Sequence, residues 1–363
     1  MEKVKIGIIG LGSMGKGHGN SLLSGLISHG ELVAVCDICE INDPVFGEMK
    51  HYSDYKKMIK SGNIDAVIIA TPHYQHTEIA IFALENGVHV LLEKPISVHK
   101  EDCEKIIDVA LKNKELKFAA MFNQRTLPWN KKIKEIISSG EIGEIKRVSW
   151  IITNWFRTQA YYESSSWRAT WKGEGGGVLL NQCPHQLDLL CWFLGMPQKL
   201  TAVCNFGKHH SIEVEDEVSA ILEYPNRAMG VFMTSTGEFP GSNHLEIAGD
   251  LGTISLDNGK LTFIKTAESV SLFSQNTKEA WGVPESKKIE IILDNPVIIE
   301  HPAIIQNFVN SIMFDEEIIA NGEEGIMSVE LANAMLLSQL QKTQVMLPID
   351  SHVFAEELNK LKN

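Results

Sequence analysis

VKIGIIGLGSMG, residues 4–15, decides how the rest of the chain is read. A short apolar run rich in β-branched residues, Val4 to Gly10, breaks on glycines and continues into a segment able to form a helix. The pattern Gly10-x-Gly12-x-x-Gly15 is weak alone. A strand before it and a helix after it, at the start of a βαβ unit, give it weight. Gly10 permits a tight turn. Gly12 lets the backbone approach a pyrophosphate, and Gly15 lets the helix pack close to the sheet. Ser13 and Met14 fall in the first helical turn, whose unpaired N–H groups favour an anion. Asp37 ends the next apolar run, Leu32–Cys36, about 20 residues on, where an acid binds ribose hydroxyls. A carboxylate there repels a 2′-phosphate, and the neighbours Ile38 and Cys39 supply no cation, so NAD is expected in preference to NADP.

Working outward, Ala66–Ala70 and Val88–Leu92 repeat the apolar run. Helical spacing lies between them, as in Glu78–Asn86 with Gly87 as a stop. Apolar strands alternating with helices indicate a parallel sheet covered on both faces. Residues 1–122 are therefore expected to form a doubly wound, Rossmann-type α/β domain. Beyond about residue 145 strand-like runs follow one another: 146–153, 200–205, 218–224, 228–234, 244–248, 261–265 and 289–293. Asn258-Gly259 is a strong hairpin signal, because both central turn residues need positive φ. Helices are expected near 128–138, 182–194, 302–314 and 323–343. Residues 123–363 thus read as an α+β domain with a large, mostly antiparallel open sheet, for substrate binding and oligomerisation. The open sheet face needs a cover, so a homodimer or homotetramer is expected.

The formal net charge of −13 argues against a nucleic-acid partner. No stretch reaches the ~20 apolar residues of a membrane helix. No targeting segment is evident either, so a cytoplasmic protein is expected. Six cysteines are scattered through the chain. They are expected to be free thiols, Cys36-x-x-Cys39 included. No metal site is expected.

Two further motifs carry chemistry. Glu93-Lys94-Pro95 closes an apolar strand, where ligands of open α/β sheets gather. A lysine there can point into the cofactor cleft, and Pro95 fixes the turn. The second is Glu174-Gly175-Gly176-Gly177, followed by Asn181-Gln182-Cys183-Pro184-His185 and Asp188. Pro184 suits only the first turn of a helix, which puts His185 near the start and Asn181 at or just before it. Asn181, His185 and Asp188 would then share a face. Between them in sequence, Trp155, Tyr161, Tyr162, Trp167 and Trp171 can stack on a sugar, while Arg157 and Arg168 can bind hydroxyls or a carboxylate. Asn123 and Arg125 sit at the domain junction. Asp188 is expected to anchor its helix, and His209-His210 to lie in a solvated loop.

An N-terminal GxGxxG, Glu93-Lys94-Pro95, and GGG followed by Asn181-x-x-x-His185 and Asp188 occur together and in order. That combination resembles the Gfo/Idh/MocA family, over nearly the whole chain. The Asn181-Gln182-x-Pro184-His185 stretch is similar to one of its subgroups, and Thr71-Pro72 with His76 resembles the family's TPxxxH. The resemblance implies NAD(P)-linked oxidation or reduction of sugars, cyclitols or related molecules. It makes Lys94 and His185 catalytic, with Asn181 beside them where the family usually has aspartate. It places Thr71, Pro72, His76, Glu93, Lys94 and Asn123 against the cofactor with the glycine loop. Lys94, Arg157, Tyr161, Trp167, Arg168, Asn181 and His185 would face substrate. Asparagine cannot carry a proton at neutral pH, so a relay through that position is in doubt. His185 is the expected general base and Lys94 the donor to the substrate oxygen, with Lys94 as the base the alternative if burial lowers its pKa. Two other activities fit the resemblance: glycoside cleavage or elimination through a transient ketone on tightly bound NAD, and non-catalytic NAD-dependent regulation.

Overall fold

The computed structural model describes residues 3–293 and 299–363. Six short strands form the first sheet: β1 (Val4–Ile9), β2 (Gly30–Cys36), β3 (Lys50–Tyr52), β4 (Ala66–Ile69), β5 (His89–Leu92) and β6 (Phe118–Ala120). All pairs are parallel, in the order β3-β2-β1-β4-β5-β6. The reversal of strand order beside β1 is the doubly wound arrangement, with its ligand crevice at the carboxyl ends of the strands. Ile6, Ile8, Val67, Ile68, Val90 and Leu91 are buried on both faces, which is why these runs lack polar alternation. The crossovers carry α1 (Ser13–Leu23), α2 (Tyr55–Ile59), α3 (His73–Glu85) and α4 (Lys100–Lys112). α3 ends before Gly87, whose φ of 77° suits a glycine stop.

The second sheet has nine strands: β7 (Ile145–Ile152), β8 (Lys199–Phe206), β9 (Glu215–Glu223), β10 (Met229–Ser235), β11 (Asn243–Gly249), β12 (Gly252–Asp257), β13 (Lys260–Thr266), β14 (Ser286–Ile291) and β15 (Val345–Met346). Pairing is antiparallel except for β10 with β7. The β12–β13 hairpin turns on Asn258 and Gly259, with φ of 48° and 81°. The remaining helices are α5 (Pro128–Ser138), α6 (Gln159–Glu163), α7 (Pro184–Leu194), α8 (Val270–Asn276), α9 (Glu300–Phe314), α10 (Gly325–Gln341) and α11 (Ser351–Leu361). Leu187 and Leu190 of α7 and Leu331 and Met335 of α10 share one core with Val218, Leu222 and Phe232 of the sheet. The other sheet face leaves Val203, Ile221, Met229 and Val231 exposed.

The two halves are joined by more than the chain at residue 122. Helix α9, far along in sequence, puts Ile304, Ile305, Phe308 and Val309 into the core of the first sheet. Arg125 follows β6, and its Nε and Nη2 bond the two oxygens of Asp188 on α7 at 2.9 and 2.6 Å. Its Nη1 also pairs with Glu324. Arg125 and Asp188 are both buried, so the pair anchors α7, as expected for Asp188. Removing one member strands the other charge without a partner. Arg125→Met is therefore expected to destabilise the fold by about 3–5 kcal/mol, read from the midpoint of chemical denaturation.

Candidate active site

The glycine loop between β1 and α1 is built for close approach. Gly10 has φ of 91°, and a Cβ there would lie 2.6 Å from the Ala70 carbonyl oxygen. A Cβ on Gly15 would lie 1.9 Å from the Gly10 oxygen, so α1 rests directly on the loop. Gly12 faces open space, with nothing within 4 Å of a Cβ. Ser13 and the half-exposed Met14 form the first turn of α1. Asp37 accepts from the Leu11 amide at 2.7 Å and the Cys39 amide at 2.8 Å, which ties the end of β2 to the loop. A cleft of about 710 Å³ opens here, lined by Gly12, Lys16, Asp37, Glu40 and Asp43 among others. Its one lysine, Lys16, is paired with Asp43 at 3.0 Å. Across the crevice, Thr71 and Pro72 lead into α3, and the Thr71 hydroxyl is buried without a partner. An open glycine, a free helix terminus, a strand-end carboxylate and an orphaned hydroxyl together fit a dinucleotide.

Lys94 lies just beyond β5 and is joined to Pro95 by a cis peptide bond. Its Nζ donates to the Asn181 carbonyl at 2.8 Å. Burial draws its pKa below the ordinary lysine value, against the opposing pull of Glu93 and Glu174. Burial would raise the pKa of Glu93, but the 2.7 Å bond with His18 and the charge of Lys94 bring it down to about 2. His185 is the second residue of α7, with Phe122 at its edge and its Nδ1 buried without a partner. Burial, and then the Lys94 charge, lower its pKa to about 3, so the imidazole is neutral at pH 7. Asn181 precedes α7 in a turn. Its amide nitrogen bonds the buried Glu174, and its side-chain oxygen lies 3.4 Å from the Tyr161 hydroxyl. Asn123 directs its amide nitrogen to Glu300 at 2.6 Å, leaving its buried oxygen without a partner.

One expected cofactor contact is corrected. His76 is fully buried, and its ring nitrogens lie 2.8 Å from the carbonyl oxygens of Pro95 and Thr71. With both nitrogens on backbone, it cannot bond a cofactor; it braces the two segments that flank the crevice. The aromatic segment divides. Tyr162 and Trp171 are buried in the second core. Tyr161 receives a 2.8 Å bond from Arg168 on its hydroxyl. Arg157 lies over the Tyr161 ring at 5.1 Å. Trp167 sits edge-on to His73, 5.8 Å away, with Arg168 over it at 4.8 Å. His210 leaves the expected solvated loop and reaches the buried Asp216 at 3.1 Å.

Residues 4–121 match the oxidoreductase family with an NAD-binding Rossmann fold, and residues 130–255 match the GFO/IDH/MocA C-terminal domain. This chain belongs to the Gfo/Idh/MocA family of oxidoreductases. Inositol 2-dehydrogenase of Salmonella typhimurium is 26% identical over 284 residues, covering 74% of this chain and 78% of that one. Myo-inositol 2-dehydrogenase of Thermotoga maritima is 25% identical over 360 residues, covering 95% and 98%. Among solved structures, the WlbA dehydrogenase from Bordetella pertussis, in complex with NADH and UDP-GlcNAcA, superposes with a TM-score of 0.80 at 25% identity, covering 96% of this chain and all of that one (100%).

For a Gfo/Idh/MocA oxidoreductase, three neighbours of the site had not been singled out from sequence. Glu174, just before the three glycines, meets the Asn181 amide and, at 2.7 Å, the Ala169 amide. Burial raises its pKa. Its position in the glycine cluster was a usable signal. His18 lies one helical turn after Met14, on the helix that follows the loop. His301 tops α9, 5.7 Å from the His18 ring, and nothing local in the sequence marks it, because only tertiary packing brings it there. The Gly15 contact yields a direct check. Gly15→Ala should lower the melting temperature and weaken NADH binding by at least about tenfold, since α1 must move off the loop. Titration of NADH fluorescence reads the second effect.

Proposed function

We propose that the protein moves a hydride between NAD and a secondary alcohol or ketone of a sugar, sugar derivative or cyclitol. The observation that carries this reading is the Lys94 ammonium and the neutral His185 ring, brought together at the carboxyl edge of the parallel sheet from opposite halves of the chain. The inositol dehydrogenases among its relatives support the substrate class. The acidic lining of the cleft at Asp37, Glu40 and Asp43 favours NAD over NADP. The cofactor contacts fall to Gly10, Gly12, Ser13, Met14, Gly15, Asp37, Thr71, Pro72, Glu93 and Asn123.

NAD, when bound, supplies the hydride acceptor or donor. Lys94 donates a hydrogen bond to the substrate oxygen and stabilises the negative charge that grows there during oxidation. His185, held neutral, accepts the hydroxyl proton during oxidation. Asn181 keeps Lys94 in place through its backbone carbonyl and carries no proton. Tyr161, Trp167, Arg157 and Arg168 form the wall against which substrate lies. A panel of inositols, aldoses and their derivatives, offered with NAD and NADP in parallel, tests the assignment through absorbance of the reduced nicotinamide.

Lys94→Ala should cost turnover on the order of 10²–10⁴-fold while NADH still binds. The pH profile follows from the site's charges. The rate falls on the alkaline side as Lys94 loses its proton, at a pH below the ordinary 10.5. No acid limb appears near the ordinary histidine value of 6.5, because His185 stays neutral down to about 3. An acid limb near 6.5 that vanishes in His185→Gln would contradict this.

The exposed sheet face completes the reading. Val231 and Ile221 are direct cross-strand partners on it, flanked by Val203 and Met229. A second copy of the chain covers that face in a cytoplasmic homodimer or homotetramer. Sedimentation of the native chain as a dimer or tetramer, and of Ile221→Glu with Val231→Glu as a smaller species, is expected. A native monomer would remove the proposal. No helix among the described residues is long and apolar enough to cross a membrane.

A further inference from the structure

The chain carries a formal charge of −13, yet the substrate wall holds two arginines without a carboxylate partner. Arg125 and Arg147 are each bonded to acids. Among the described residues Arg157 and Arg168 form no ion pair. Arg157 donates at 2.9 Å to the carbonyl of Phe156 and lies over the rings of Trp155 and Tyr161. Arg168 makes a single side-chain bond, from Nη1 to the Tyr161 hydroxyl, and its Nε is buried with no partner at all. A guanidinium has five N–H donors, so most of Arg168's are uncommitted. Glu174 accepts from the Ala169 amide and the Asn181 side chain and, among the described residues, forms no ion pair with Arg168. A buried donor left unmade is costly, and a charged one more so.

The arginines are close to the reacting end. Lys94 bonds the Asn181 carbonyl, the Asn181 side chain meets the Tyr161 hydroxyl at 3.4 Å, and that hydroxyl takes the bond from Arg168. Both guanidiniums lie over the Tyr161 ring, at 5.1 and 4.7 Å from its centre. A planar fork of that kind matches a carboxylate or phosphate bidentately. Resting on the assignment of Lys94 and His185 to hydride transfer, we infer that the physiological substrate is an acidic sugar or cyclitol, with its carboxylate or phosphate held by Arg157 and Arg168. A neutral polyol would occupy the same wall while leaving both charges partly desolvated and unanswered, which is a device for rejecting it.

Matched pairs test this on the NADH-loaded chain and in turnover with NAD: glucose against glucuronate and glucose 6-phosphate, and myo-inositol against its monophosphate. Calorimetric binding and kcat/KM should both favour an acidic member by at least about tenfold, as charge-assisted hydrogen bonds imply. The winning member identifies carboxylate or phosphate. Arg168→Gln and Arg157→Gln should erase the preference, chiefly through KM, while Arg168→Lys keeps part of it. Neutral members binding and reacting as well as their acids, or a preference unchanged in Arg168→Gln, would overturn the inference. So would a loss of NADH affinity in Arg168→Gln with sugar selectivity intact, because the guanidinium would then serve the cofactor. Oxidation of neutral polyols with no acid bound removes the acidic substrate and leaves the dehydrogenase. Acid binding with no NADH formed from any polyol does the reverse.

Discussion

The bond from the Lys94 ammonium to the Asn181 carbonyl joins the end of a strand in one sheet to the turn that starts a helix over the other. It brings a positive charge into a place largely stripped of water, and much of the site follows from that charge. Desolvation alone would favour the neutral amine. Glu93 and Glu174 oppose it, and His18 in turn keeps Glu93 ionised. The same charge then acts on His185, adding to burial to keep its ring neutral. The two candidate proton-handling groups are thus not independent. A charged lysine is one reason the histidine beside it is neutral, and it weakens that ring as a base.

This coupling explains how position 181 tolerates asparagine where the family usually has aspartate. What Lys94 requires there is a backbone oxygen, and every residue type supplies one. The side chain is released for another task, and its amide nitrogen turns to Glu174. Glu174 therefore keeps an acid in the site, its two oxygens each accepting one N–H bond, from Asn181 and Ala169. An aspartate at 181 would face that carboxylate as a like charge.

Much of this was legible in the sequence where the cause is local. The first sheet announced itself because strands buried on both faces must be continuously apolar. The β12–β13 turn was readable because Asn258-Gly259 is among the few pairs that accept two positive φ values. Pro184 marked the start of α7 because its missing N–H is harmless only there. Other features have no local cause. The position of α9 on the first core, although it comes late in the sequence, depends on which apolar surface remains uncovered after the sheet is built. His76 followed the motif but not its expected role. A TPxxxH pattern fixes the spacing of the ring, while the direction of its nitrogens depends on the Pro95 carbonyl, which folding brings from the turn after β5.

The two ends of the crevice carry opposite signs, and this bears on how a cofactor and a substrate sort themselves. At the far side of the glycine loop, Asp37, Glu40 and Asp43 line the cleft with one already-paired lysine. Hydroxyls satisfy such a lining and an added phosphate does not. At the near side stand Lys94, Arg157 and Arg168, with Glu93 and Glu174 beside Lys94. An acid offered to the whole crevice is repelled from the first end and attracted to the second, and a ribose has the reverse preference. The loop between them answers charge only through backbone N–H groups at the start of α1, which suit a pyrophosphate joining the two halves. Polarity along the crevice therefore favours one orientation of a dinucleotide over the reverse and leaves the cationic end free.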